Sequence, residues 1–104
     1  MARTKDDPQR IEQEQAWTGD AVLGLFAREW ILQREGTMDA EMFARMTSNH
    51  FLSSLGNPTS VEAEIGRIYK DHGLEAAYEH IEKALLPIFL KQEKKRIRRA
   101  GGRR

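Results

Sequence analysis

Three observations predict an all-α fold. Apolar residues recur at helical spacing through most of the chain, no stretch alternates apolar and polar residues as a half-buried strand does, and Gly or Asn-Pro closes each periodic stretch. With 104 residues and no internal repeat, the chain has the size of one small domain, expected as a compact bundle of four or five helices. A core of that size gains from self-association, so a homodimer is expected.

Taken in order, residues 1–15 are polar and charged, with Pro8 and one large apolar residue, Ile11, and read as a mobile lead-in with helical tendency near Arg10 to Glu14. From Thr18, a suitable N-cap, residues Ala21, Val22, Leu25, Phe26, Trp30 and Ile31 give the strongest helical pattern, which Gly36 stops. Its wide apolar face makes it the central element. Thr37 or Asp39 can cap a second helix carrying Met38, Met42, Phe43 and Met46, a stripe assigned to the core. Thr47-Ser48-Asn49 bends or restarts it, and Phe51, Leu52 and Leu55 extend the apolar face to Gly56.

Asn57-Pro58 reads as N-cap and first residue of a third helix running through Val61, Ile65, Ile68 and Tyr69 to Gly73. The fourth runs from Leu74 through Ala77, Ile81, Leu85 and Phe89, with Pro87 marking a kink or a change of partner. Trp17, Trp30 and Phe26 are assigned to the core or a dimer interface. The helical domain is thus bounded as residues 16–90, followed by a tail at 91–104.

The charges are divided along the chain. Residues 91–104 hold eight Lys or Arg against one Glu, while residues 1–90 hold nine against fifteen Asp or Glu. A basic tail on an acidic body fits contact with a polyanion at one end and with a cation elsewhere. Lys91, Lys94, Lys95, Arg96, Arg98 and Arg99 are therefore the candidate phosphate contacts, with Arg103 and Arg104 beyond the helix-ending Gly101-Gly102. The absence of Cys excludes disulfides and thiolate metal sites. No apolar run is long enough for a membrane span and no charged-then-apolar leader opens the sequence, so a cytoplasmic protein without a membrane partner is expected.

Asp20 is the residue that calls for chemistry. A carboxylate among apolar neighbours is costly to desolvate unless a cation, a donor or water receives it. If the first and third helices pack together, Asp20 and Glu62 can converge on one ion. Magnesium suits such a site, because it accepts one or two carboxylates, keeps several waters and completes its shell with substrate phosphate oxygens. His50, His72 and His80 are not spaced as a metal cluster, Thr59 reads as a local capping hydroxyl, and Asn49 reads equally as a backbone partner at a helix bend or as a contact to the site.

These residues also resemble a known family. Gly19-Asp20-Ala21-Val22-Leu23-Gly24 resembles the signature of ribonuclease III, and four more pieces follow in that family's order. They are Glu35-Gly36-Thr37-Met38, Thr47-Ser48-Asn49, Val61-Glu62-Ala63-Glu64-Ile65-Gly66, and Ile68-Tyr69 through Leu74-Glu75-Ala76-Ala77. Two family carboxylates are absent: Ala16 stands where the signature has Glu, and Thr59 where the second motif has Asp. That reduced pattern is similar to the Mini-ribonuclease III branch. Only Phe51 to Pro58 separates the Asn49 segment from the second motif, where the family places one or two further helices and an RNA-contacting loop.

The resemblance implies a homodimeric endoribonuclease that cuts double-stranded or structured RNA, with ribosomal RNA precursor as the substrate by analogy. Asp20 and Glu62 would hold Mg²⁺, with Mn²⁺ able to substitute, and Glu35 would assist. The alternative is a non-catalytic module of the same fold that binds RNA or a ribosome through the basic tail. A third option is a helical adaptor dimerising through Trp17 and Trp30.

Overall fold

The computed structural model describes residues 7–101, and among them every regular element is helical, with no strand. Helix α1 spans Pro8–Glu35, α2 Ala40–Met46, α3 Asn49–Ser53, α4 Pro58–His72, α5 Leu74–His80 and α6 Leu86–Gly101. A π-helical turn, Ile81–Leu85, joins α5 to α6 without a break, so the last two form one continuous rod. The turn ends two residues before Pro87, whose missing N–H and ring disfavour a regular α-helix at that point.

Helix α1 is the spine, and it starts ten residues earlier than the apolar pattern indicates. Asp7 caps it, its carboxylate accepting from the Gln9 amide at 3.1 Å, and Pro8 occupies the first turn, where no amide partner is required. Thr18 is therefore an exposed mid-helix residue rather than an N-cap, and Pro8 to Gln15 are helix rather than lead-in. Polar pairs support this first section: Arg10 bridges Glu14 at 3.0 Å, and the Ser60 hydroxyl on α4 donates to Glu12 at 2.8 Å. The six residues before Asp7, and Gly102, Arg103 and Arg104 of the expected tail, lie outside the described residues.

Several other expected helix ends hold, whereas no element ends at residue 90, because α6 runs through it to Gly101. Gly36 ends α1 at φ 76°, a left-handed conformation open to glycine at little cost. Asp39 caps α2, Ser48 caps α3 after the break at Thr47, and the Asn57 side chain accepts from Ser60 N at the start of α4. Because α2 starts only at Ala40, Met38 lies in the preceding turn and is 80% exposed, so the expected methionine stripe reaches the core at Met46 but not at Met38.

The core lies where α1, α3, α4 and the α5–α6 rod meet. Leu23, Phe26 and Ala27 from α1 pack with Phe51, Leu52, Ile65, Ile81, Leu85 and Phe89. Ring edges lock it: Phe26 meets Tyr78 at 5.1 Å, and Phe89 meets both Phe51 at 5.4 Å and Trp30 at 6.3 Å. Truncating a fully buried side chain here, such as Leu23→Ala, costs about 3 kcal/mol. Trp17 is 80% exposed, which removes it from the core of a single chain.

Candidate functional site

The site is set by the crossing of α1 over α4, and that crossing is made of glycine. A Cβ on Gly19 would overlap the Glu62 carbonyl and sit 2.9 Å from the Gly66 amide nitrogen. A Cβ on Gly66 would overlap the Gln15 carbonyl and sit 3.0 Å from the Gly19 nitrogen. The two helices therefore touch backbone to backbone, closer than any side chain permits. Asp20, next to Gly19, is brought against Glu62 by this contact.

The carboxyl of Glu62 lies within hydrogen-bonding reach of Asp20. Burial pushes Glu62 up to about 7, and the Asp20 hydrogen bond and charge push in the same direction. Two carboxyls so close cannot both be ionised cheaply, so at neutral pH Glu62 holds a proton towards its neighbour for much of the time. Oxygen donors in this state suit a hard divalent cation, which removes the repulsion by taking the place of the proton.

Neither of the two positions where family carboxylates are missing supplies another acid. Ala16 is buried in the helix interface, and Thr59 is half-buried at the start of α4. Among the described residues no group of three or more His, Asp or Glu side chains converges as a metal site. Glu35 is not brought to the pair. It lies fifteen residues beyond Asp20 on the same helix, about 22 Å along the axis, and its nearest charge is Arg34 at 3.4 Å.

No family model, no curated protein and no solved structure matches the chain. The functional reading therefore rests on the residues themselves and on the resemblance in their pattern.

The basic residues of α6 do not form one surface. Lys91, Lys94, Lys95, Arg96, Arg98 and Arg99 are all exposed, and the helix is anchored by an acid among them. Glu93 is only 9% exposed and accepts two hydrogen bonds from Arg45 of α2, at 2.8 and 3.0 Å, and a longer one from Arg96 at 3.4 Å. Burial alone would raise the Glu93 carboxyl, but the hydrogen bonds and charges of Arg45 and Arg96 hold it below the usual carboxylate range. Residues Arg45 and Glu93 are 48 apart in the chain, so no local pattern pairs them. Nor does periodicity reveal Gly19 and Gly66 as a contact pair, although a glycine inside each of two apolar helices is the signal that could have done so.

Proposed function

We propose that this chain is a divalent-metal-dependent endoribonuclease acting on double-stranded or structured RNA as a cytoplasmic homodimer, with ribosomal RNA precursor as the substrate class by family analogy. The observation that carries the reading is the meeting of Asp20 and Glu62 at the Gly19–Gly66 crossing. Two carboxylates, each from a motif that resembles ribonuclease III, face one another although 42 residues apart in sequence. The departures at Ala16 and Thr59 match the reduced pattern of the Mini-ribonuclease III branch.

Asp20 and Glu62 would hold Mg²⁺ or Mn²⁺, Glu62 giving up its proton as the ion enters. When bound, such an ion polarises a phosphodiester and lowers the pKa of a coordinated water. The rigid glycine crossing fixes the distance between the two carboxylates, and the cations of α6 hold substrate phosphates elsewhere on the surface. Glu35 is too distant to act on the pair of its own chain and takes no part in the proposal.

Incubating the protein with duplex RNA in Mg²⁺ or Mn²⁺, against an EDTA control, tests the reading. Metal-dependent products support it. Salt-sensitive binding without products would instead favour the RNA-binding module, a reading that the presence of only two carboxylates keeps in view.

A further inference from the structure

Away from the carboxylate pair, the structure has a concave surface with an apolar floor and a charged wall. A cleft of about 350 Å³ lies between α6 and the α2–α3 turn, and four cations line it: Arg45, Lys95, Arg96 and Arg99. Glu93 is the single acid there, and His50 and Ser48 complete the polar wall. Glu93 is already saturated by Arg45 and Arg96, so the surplus charge of the cleft is positive. Its apolar floor, Phe51 and Phe89, belongs to the core, which holds together the helices that carry the cations.

We propose that this cleft seats a backbone phosphate of the RNA, and that the grip on substrate comes from one face of α6 rather than from its whole basic length. The inference rests on the proposed RNA substrate and names where that substrate is held. Lys95, Arg96 and Arg99 line the cleft while Lys91, Lys94 and Arg98 do not, and Lys94 and Arg98, one turn apart, lie on a stripe rotated about 100° from that of Lys95 and Arg99. Arg45 is half-buried and gives Nε and Nη2 to Glu93, which leaves its Nη1 edge to face the cleft from a different helix, so a phosphate there meets cations from two directions. The seat is remote from the carboxylate pair. Phe89 packs on Trp30, which lies ten residues beyond Asp20 and so about 15 Å further along α1.

The test compares two double charge reversals of equal size, Lys95→Glu with Arg99→Glu and Lys94→Glu with Arg98→Glu, for binding to a blunt RNA duplex in EDTA. None of the four side chains makes an ion pair among the described residues, and unchanged thermal unfolding identifies folded variants. The cleft pair should weaken binding at least about tenfold and lower the salt slope by about 2, while the outer pair changes affinity by less than about threefold. Equal losses from both pairs would overturn the cleft and leave a diffuse basic tail. A parent protein that binds no RNA would overturn it as well. The outcomes stay separate from those of the nuclease reading: asymmetric binding without metal-dependent products refutes cutting and keeps the cleft, and cutting with symmetric losses does the reverse.

Discussion

Glu62 makes the stability of the protein depend on pH in a direction opposite to that of most acids. Its carboxyl is raised from 4.5 to about 7 in the fold, first by burial and then by Asp20. The folded state thus holds this proton over a range where the unfolded chain has lost it. The resulting stabilisation is complete below the unfolded value and is lost as pH rises through about 7. In EDTA the melting temperature should therefore fall across that window, and Glu62→Gln should flatten the fall. Added Mg²⁺ or Mn²⁺ should restore the melting temperature above pH 7 in the parent and not in the Gln variant. Glu93 behaves in the usual way, since a lowered carboxyl contributes stability above its unfolded value and loses it only as pH falls through the folded one. A melting temperature that is flat between pH 4.5 and about 7 would show that Glu62 and Asp20 do not share a proton.

At the level of the elements, Gly19 and Gly66 decide whether there is a site at all. Replacing Gly19 by Ala places a methyl group onto the Glu62 carbonyl, and since both partners are backbone the helices must separate. The cost is about 3 kcal/mol or more, measurable by urea unfolding, together with loss of the metal-dependent melting shift. An Ala variant as stable as the parent would contradict the close crossing. Most of the helices were legible in sequence because their ends carry local chemistry: Gly36, Asp39, Asn57-Pro58 and Gly73 all stand at boundaries. The start of α1 was less legible, because its first two turns are polar and are held by Asp7, Glu14 and a hydroxyl from α4 rather than by an apolar stripe. The meeting of Asp20 with Glu62 could be posed from helical spacing and resemblance, but not its cause, since a glycine crossing depends on which helices pack. The pinning of α6 by Arg45 and Glu93 was not legible for the same reason.

Across the whole molecule, an exposed apolar stripe remains on the far side of α1 from the core. Trp17, Ala21, Leu25 and Leu32 follow helical spacing along it and are all open to solvent. The proposed homodimer gives this stripe a partner. Leu25→Glu should convert the dimer to a monomer in analytical ultracentrifugation without unfolding the chain, and a parent that sediments as a monomer would remove the dimer from the proposal. None of the described helices is long and apolar enough to cross a membrane. In the proposed function, an acidic body and a basic end would place cation and phosphate in different regions, at the carboxylate pair on the α1–α4 crossing and at the cleft beside α6. The central claim is that one ion held by Asp20 and Glu62 cuts RNA. Its most direct test is the rate of duplex RNA cleavage in Mg²⁺ by the parent and by Asp20→Asn, with binding measured alongside. Loss of a residue one shell further from a metal costs 10–100-fold, so removal of this ligand should slow cleavage by at least about a hundredfold while RNA affinity is retained. Cleavage by Asp20→Asn at the parental rate would contradict the account.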